Sequence, residues 1–177
     1  MKFVDVLKKV RNVFEWFLIY SICGWIYEVV WWMMIEENLG FINRGFLFGP
    51  WLPIYGAGML IFLLIIKLLK VKNTWLVFGI GLVVSTGAEL LGSYIMQWTC
   101  GYFMWDYSDM FLNFQGRIAL KTSLYFALLI LLAVKVIQPN MEKFQKKFDG
   151  SVVHNVICGL FAAAFAVDGI YSLITKL

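Results

Sequence analysis

Six of the ionisable side chains within or directly beside the long apolar runs of this 177-residue chain could do chemistry. Carboxylic acids can take up and release protons in such places, and a guanidinium group can hold a carboxylate or a phosphate with two parallel hydrogen bonds. Ionisable groups inside apolar segments are costly, so they usually face a protein interior or a wet cavity. The pattern is typical of a solute site in a transport protein or of acid–base chemistry. The six residues are Glu28, Arg44, Glu89, Arg117, Lys121 and Asp168.

The composition places these groups in a membrane protein. Apolar and aromatic residues make up 62% of the chain and charged residues only 15%, whereas a soluble domain usually has about 45–50% and about 25%. The surplus is too large for a water-facing surface, which excludes a soluble enzyme, a nucleic-acid-binding protein and a disordered chain. The lipid bilayer is therefore an expected partner, and nucleic acid is not.

Five apolar segments are long enough to cross a bilayer. A hydrocarbon core of about 30 Å requires roughly 20 helical residues. The sequence therefore predicts an all-α polytopic membrane protein that forms one integral membrane domain over residues 1–177. The five predicted transmembrane helices are residues 13–35, 51–69, 74–97, 118–138 and 152–174.

The lysines indicate how the chain is oriented. They cluster before the first span, between the second and third spans, and between the fourth and fifth, whereas the other two connections carry acidic residues. By the positive-inside rule, the N-terminus is cytoplasmic and the C-terminus lies outside the cell membrane. Residues 1–12 and 141–148 combine apolar residues on one face with lysines, which predicts short helices on the inner membrane surface.

The intramembrane charges are predicted to lie at a similar depth. From the rise of an α-helix, Glu28, Glu89 and Asp168 lie about 10, 12 and 9 Å below the outer ends of their spans. Lys121 lies about 5 Å below the outer end of the fourth span, on the helical face that also carries Arg117. Two alternatives follow. The charges form ion pairs that lock the helices together, or they line an outward-facing polar pocket for a solute or a lipid head group.

The first outer connection, residues 40–56, is too rich in glycine and proline to be a continuous helix. It is apolar enough to dip into the membrane, where irregular backbone persists only if it is buried in protein or lines a cavity. The sequence predicts a re-entrant segment in which Asn43, Arg44, Tyr55 and the freed backbone groups are available to a ligand. The alternative is a close-packed elbow that binds nothing.

The second outer connection carries a carboxylate between two aromatic residues. Asp106 follows Trp105 and precedes Tyr107, so we expect it to orient a cation or to cap Arg117. Asn113 lies further along the same connection, and we include it among the candidate binding residues.

The two outer connections suggest a weak internal repeat. Each contains asparagine, glycine and arginine, and each follows a helix with small residues around a glutamate. The predicted repeats are two hairpins, about residues 13–69 and 74–138. Both run in–out–in, so they would be related by an axis along the membrane normal.

Several of these residues belong to motifs that resemble a known family. The motifs are Gly24-Trp25, Asn43-Arg44-Gly45-Phe46-Leu47, Gly49-Pro50, Pro53-Ile54-Tyr55-Gly56, Trp105-Asp106-Tyr107-Ser108 and Gly116-Arg117-Ile118, with Glu28, Glu89 and Asn113 between them. In this order, over about residues 14–130, they are similar to the putative type IV ABC-transporter permease family (CmpB-like). The resemblance implies a small bacterial multi-spanning protein without its own ATPase, in which the matched polar residues form a shared site.

Three functions fit these observations. A permease-like protein would bind or translocate a small polar solute through the pocket, as a homo-oligomer or with a partner membrane subunit. A membrane enzyme would act on a lipid head group or a lipid-linked substrate at the outer leaflet, and an accessory subunit would dock a partner. The candidate binding residues are Glu28, Asn43, Arg44, Tyr55, Glu89, Asp106, Asn113, Arg117, Lys121 and Asp168.

No cofactor or metal is expected from the sequence. The three cysteines, Cys23, Cys100 and Cys158, form no closely spaced pair, and His154 is the single histidine. The chain has no P-loop and no dinucleotide-binding glycine motif. Transport driven by ATP would therefore require a separate ATPase.

Overall fold

The computed structural model describes residues 3–35, 40–101 and 105–176. The helices are α1 (Phe3–Ile35), α2 (Pro53–Leu68), α3 (Thr74–Cys100), α4 (Leu120–Leu132), α5 (Gln138–Lys147) and α6 (Val152–Lys176), and a π-helical turn, Ala133–Ile137, joins α4 to α5. Two short antiparallel strands, β1 (Asn113–Phe114) and β2 (Ile118–Ala119), precede α4.

The predicted all-α membrane architecture is confirmed. Within the described ranges, four helical stretches are long and apolar enough to cross a bilayer: Val4–Val30, Thr74–Thr99, Leu120–Lys147 and Val152–Lys176. The apolar helix α2 is shorter, with 16 residues. Its length of about 24 Å, from the helical rise, is less than a hydrocarbon core of about 30 Å. The protein is therefore a multi-pass membrane protein with four long apolar helices and one shorter one.

The N-terminal segment differs from its prediction. The sequence predicts a separate surface helix over residues 1–12, but the described part, residues 3–12, continues without a break into α1, which has 33 residues. Neither glycine nor proline occurs before Gly24, so nothing in the local sequence interrupts the helix. One long helix therefore replaces a surface helix followed by a span.

Local sequence signals explain other helix ends. The side chain of Asn73 caps α3, because its Oδ1 accepts the backbone N–H groups of Trp75 and Leu76 at 2.8 and 3.2 Å. The same helix stops at Gly101, whose φ of 80° lies in the left-handed region that favours glycine. Pro139 has no N–H and crowds the carbonyl four residues earlier, which explains the wider π-helical turn just before it.

The chain divides into two compact units. Unit 1 comprises Met1–Ile61 and Asn140–Leu177, and unit 2 comprises Phe62–Pro139. In unit 1, the first outer connection packs into the core, where Leu47 and Trp51 are buried against Leu18 of α1. Phe165 of α6 joins this core, with its ring 5.7 Å from that of Trp51. The irregular segment is thus held between two apolar helices.

Small residues bring α1 and the start of α2 into close contact within unit 1. A Cβ atom added to Gly24 would lie 2.2 Å from Cγ of Tyr55. A Cβ atom added to Gly56 would lie 2.4 Å from the carbonyl oxygen of Phe17 and 2.3 Å from Oγ of Ser21. Any larger side chain at either glycine would separate the helices. The small residues near Glu28 therefore serve close packing.

A buried polar network joins α1, α5 and α6 in unit 1. The Nε2 atom of His154 lies 2.6 Å from Oε1 of Glu15, and both side chains are largely buried. Gln145 donates to Oε2 of the same carboxylate at 2.7 Å, and Arg11 lies 3.7 Å from Oε1. The single histidine, which has no histidine partner, is thus paired with a carboxylate.

Unit 2 is built around the packing of α3 against α4. Ala127 of α4 is completely buried, and a Cβ atom on Gly81 of α3 would lie 3.2 Å from the side chain of Ile130. The β1–β2 hairpin leads directly into α4, with Asn113 opposite Ala119 and Phe114 opposite Ile118. The fourth helix therefore begins at Leu120, two residues later than predicted, because Ile118 and Ala119 pair as a strand.

Candidate functional site

The ten predicted site residues are shared equally between the two units. Unit 1 contains Glu28, Asn43, Arg44, Tyr55 and Asp168, and unit 2 contains Glu89, Asp106, Asn113, Arg117 and Lys121.

Glu28, Tyr55 and Arg44 meet in unit 1. The Tyr55 hydroxyl donates to Oε1 of Glu28 at 2.6 Å, and Nε of Arg44 lies 3.9 Å from Oε2. About a quarter of the Arg44 and Glu28 side chains is exposed. The ring of Tyr55 lies over Gly24, one helical turn before Glu28, and this contact directs the hydroxyl to the carboxylate. Both carboxylate oxygens of Glu28 thus have partners.

Asn43 organises the connection in which it lies. Its Oδ1 accepts the indole N–H of Trp25 at 2.6 Å, and its Nδ2 donates to the carbonyl oxygens of Phe48 at 2.8 Å and Leu47 at 3.4 Å. The side chain thereby closes a loop and ties it to α1. These contacts give Asn43 a positioning role.

Asp168 fastens the same connection to α6. Its two carboxylate oxygens accept the backbone N–H groups of Phe48 at 3.0 Å and Gly49 at 2.8 Å, and the indole N–H of Trp51 at 2.7 Å. Ser172 donates to it at 3.2 Å. The sequence predicts that freed backbone groups of this connection are available to a ligand. The N–H groups of Phe48 and Gly49 instead donate to Asp168.

Glu89 differs from Glu28 and Asp168 because half of its carboxylate is unsatisfied. The Tyr107 hydroxyl donates to Oε1 at 3.2 Å. The other oxygen, Oε2, is buried and has no hydrogen-bond partner among the described residues. A buried acceptor without a donor is unusual and costly. The sequence pattern indicates Glu89 but not Tyr107, because their contact brings together a helix and a loop 18 residues further along the chain.

Arg117 is buried against α3. Its guanidinium donates to Oγ of Ser93 at 2.7 Å and to Oε1 of Gln97, and it lies 4.1 Å from the ring centroid of Tyr94. Its backbone carbonyl accepts the indole N–H of Trp105 at 2.8 Å. The spacing of Ser93 and Gln97 on one helical face was a signal that sequence analysis did not use.

Asp106 caps a turn of its own connection. Its Oδ1 accepts the backbone N–H of Ser108 at 2.9 Å and the hydroxyl of Ser108 at 2.6 Å. These two hydrogen bonds lower the pKa of the Asp106 carboxyl. Gly116 lies against the turn with φ of 68°, where an added Cβ atom would lie 2.5 Å from Oδ1. The contacts observed are therefore with Ser108, whereas the sequence suggested a cation or Arg117.

Asn113 repeats in unit 2 what Asn43 does in unit 1. Its Nδ2 donates to the carbonyl oxygens of Ser108 and Met110, both at 2.9 Å, and its Oδ1 accepts the N–H of Gly116 at 3.2 Å. The side chain closes the loop that precedes α4.

Lys121 is exposed near the start of α4. Its Nζ lies 5.8 Å from the ring centroid of Tyr125, one turn further along. The expected helical face shared with Arg117 is not formed, because Arg117 precedes β2 and lies outside α4. Lys121 therefore has the surroundings of a surface lysine.

The chemistry available at these sites is that of carboxylates, hydroxyls and guanidinium groups. Among the described residues, no group of three histidine, cysteine, aspartate or glutamate side chains could hold a metal ion. A surface groove of unit 1 has mainly apolar walls and includes none of the ten predicted residues. It is lined by Lys9, Val10, Val13, Phe14, Phe17 and Leu60.

Comparison with known proteins identifies the family. No curated protein and no solved structure matches the chain. A family model described as "Putative ABC-transporter type IV" matches residues 15–173, which includes all ten candidate residues and extends beyond the 14–130 region of the sequence motifs. The chain therefore belongs to this ABC-transporter type IV family of membrane proteins.

Proposed function

We propose that this transporter-like membrane protein is a permease that binds a small polar solute through Glu89. The observation that carries the proposal is the buried Oε2 atom, which has no hydrogen-bond partner among the described residues. A buried carboxylate oxygen without a donor costs free energy unless a proton or a ligand supplies one. Glu89 therefore suits a solute with an ammonium, a guanidinium or another N–H donor.

A proton and a cationic solute would compete for the same carboxylate. Without solute, a proton on Oε2 neutralises Glu89 and satisfies the oxygen. A cationic solute replaces that proton and pairs with the negative charge. Binding of one then opposes binding of the other, which couples solute movement to proton movement in the opposite direction. Tyr107 keeps the carboxylate in place in both states through its hydrogen bond to Oε1.

Several of the other candidate residues have roles within their own units. Asp168, Asn43 and Asn113 hydrogen-bond to backbone groups of the outer connections, so we assign them to positioning. Glu28 and Tyr55 form in unit 1 the same carboxylate–hydroxyl pair that Glu89 forms with its tyrosine in unit 2. This parallel supports the two-hairpin repeat.

The proposed topology has five crossings, with the N-terminus in the cytoplasm and the C-terminus outside. One of the five crossings requires α2, which has 16 residues and is shorter than the hydrocarbon core. A locally thinner bilayer or flanking apolar residues can accommodate such a short helix. The burial of Leu47 and Trp51 in the core of unit 1 supports a re-entrant path for the first outer connection. Backbone that dips into a membrane must be covered in this way.

The proposed assembly includes further subunits. Five helices are few for a complete solute pathway, so we propose a homo-oligomer or a complex with a partner membrane subunit. The chain contains no P-loop. If its transport is driven by ATP, as the family description suggests, a separate ATPase supplies the hydrolysis.

The test is transport by the purified full-length protein in proteoliposomes. Radiolabelled guanidinium is the probe, because it is the simplest planar cation with several N–H donors. Wild type should show saturable uptake driven by an outward proton gradient, and Glu89→Gln should abolish it. Tyr107→Phe should weaken binding while leaving measurable uptake.

The matched control is Glu142→Gln, which makes the same chemical change at an exposed glutamate of α5. Its uptake should equal that of wild type. Uptake that survives Glu89→Gln at full rate would assign Glu89 to structure and remove the basis of the proposal.

A further inference from the structure

Helix α5 presents two chemically different faces. Met141 and Gln145, four residues apart, are 8% and 5% exposed. On the opposite side, Lys143, Lys146 and Lys147 are all exposed, and we call these three residues the lysine surface. Helical geometry separates the two sets by about half a turn, so the lysine surface faces away from unit 1.

The buried face of α5 is fixed to α1, which prevents the lysine surface from turning inward. Gln145 donates to the carbonyl oxygen of Asn12 at 3.0 Å and to Glu15 at 2.7 Å. Its Oε1 accepts the indole N–H of Trp16 at 3.1 Å. Three hydrogen bonds on one buried side chain therefore set the rotation of α5 about its axis.

The lysine surface lies at a membrane boundary. The three lysines fall in the last two turns of the apolar stretch Leu120–Lys147, and the next one begins at Val152. Lys143 and Lys147 are about 6 Å apart along the helix, and the head-group layer of a bilayer leaflet is about 5–8 Å thick. In a bilayer crossed by this stretch, the ammonium groups would emerge at the depth of the phospholipid head groups.

Two partly exposed aromatic side chains lie beside the lysine surface. Phe144 is about 60° around α5 from Lys147, and the ring centroid of Phe148, just after α5, lies 5.4 Å from Nζ of Lys147. Phe144 and Phe148 are 52% and 36% exposed, and their rings also contact His154 of α6. Apolar rings beside lysines are typical of helices that insert into the boundary between acyl chains and head groups.

The nearby acidic groups do not cancel the positive charge. Asp149 is held by Lys8 at 3.1 Å and by Arg11 at 3.8 Å. Glu142 is exposed on α5, so one carboxylate stands beside three lysines. The surface therefore carries an excess of positive charge where lipid phosphates lie.

We propose that the lysine surface binds the head groups of anionic phospholipids, with Phe144 and Phe148 in the adjoining acyl-chain region. Each lysine near a membrane surface contributes about a fivefold preference for anionic lipid. The site is independent of solute binding at Glu89, and it gives this end of unit 1 a requirement for anionic lipid.

The test measures lipid selectivity of the full-length protein in phosphatidylcholine vesicles. Spin-labelled phosphatidylglycerol and spin-labelled phosphatidylcholine with identical chains are the probes, and electron paramagnetic resonance gives their relative association constants. Wild type should prefer phosphatidylglycerol. The triple variant Lys143→Gln, Lys146→Gln, Lys147→Gln should lower that preference by about fivefold or more, and the triple arginine variant should retain it.

The charge-matched control is Lys67→Gln, Lys70→Gln, Lys72→Gln. Lys70 and Lys72 lie in irregular chain after α2, so these lysines do not share one helical face. The control should lose less than half of the preference that the α5 variant loses. Equal losses would show that net charge alone attracts the lipid, and an unchanged preference in the α5 variant would also overturn the proposal. Circular dichroism checks that all variants keep their helices.

Discussion

The ring of Tyr55 lies directly against Gly24, where an added Cβ atom would be 2.2 Å from Cγ. The same tyrosine donates its hydroxyl to Glu28 at 2.6 Å. Absence of a side chain at one position of α1 thus allows a hydrogen bond to a carboxylate one turn further along. Close packing and placement of the polar group have the same cause.

Gly24→Ala should therefore disturb both features. The methyl group forces the ring of Tyr55 away, which should lower the free energy of unfolding by about 1–3 kcal/mol and lengthen the contact with Glu28. Reversible unfolding in mixed detergent micelles measures the change.

The control is Gly159→Ala on α6, where an added Cβ atom meets nothing within 4 Å. It should leave stability unchanged or raise it by up to about 1 kcal/mol. Equal effects of the two variants would contradict the close contact.

Asp168→Asn should loosen the first outer connection. In the wild type, the N–H groups of Phe48, Gly49 and Trp51 share the two oxygens of the carboxylate. The neutral amide of the variant offers one acceptor oxygen and turns its NH₂ group toward some of these donors. Loss of hydrogen bonds to a charged group should cost about 1.5–3 kcal/mol. Amide hydrogen exchange at residues 48 and 49 should accelerate.

Ser172→Ala serves as the control for this prediction. It removes only the contact with Asp168 at 3.2 Å and keeps the backbone hydrogen bonds. Its exchange rates at residues 48 and 49 should stay near those of wild type. Unchanged exchange in Asp168→Asn would show that the carboxylate does not hold the loop.

The sequence predicts helices better than it predicts contacts. Long apolar runs locate α3 and α6 to within three residues, because bilayer thickness sets a minimum length. The start of α4 was misplaced because Ile118 is equally apolar in a strand and in a helix. Ionisable residues in apolar runs also identified Glu89, since their cost there demands a reason.

The partners of these residues could not be derived from spacing along the chain. Glu89 meets Tyr107 across 18 positions, and Arg117 meets Ser93 across 24. His154 is the single histidine of the chain, so a search for histidine pairs assigns it no partner. Its partner Glu15 lies on a different helix, and no local pattern links the two.

Acid should weaken the turn that Asp106 caps. Two hydrogen bonds from Ser108 lower the pKa of the Asp106 carboxyl in the folded protein. The turn is therefore fully stabilised above the pKa of an unfolded aspartate, and that stabilisation is lost as pH falls through the lower folded value. Ser108→Ala removes the hydroxyl donor and should raise the pH at which the carboxyl takes up its proton. Carboxyl carbon chemical shifts in nanodiscs report this titration.

Asp149 provides the matched control for that titration. Its pKa is lowered by a different partner, Lys8, which lies 3.1 Å away. Lys8→Gln should raise the pKa of Asp149 and leave Asp106 unchanged, whereas Ser108→Ala should do the opposite. A shift of both aspartates in either variant would indicate general unfolding instead of a local effect.

Glu15 and His154 should be energetically coupled. Their side chains are 13% and 8% exposed, with Oε1 and Nε2 2.6 Å apart. Removing one partner leaves the facing atom of the other buried without that contact, while Gln145 still donates to Glu15, so Glu15→Gln and His154→Gln should each cost about 1–3 kcal/mol. The double variant should cost clearly less than both single costs together, because the second change removes a group whose facing atom has already lost this contact. Unfolding free energies of the four proteins give the coupling.

The pair Lys8 and Asp149, whose side chains are 40% and 50% exposed, should show no measurable coupling in the same cycle. Additive costs for Glu15 and His154 would show that the buried contact contributes nothing to the stability of unit 1.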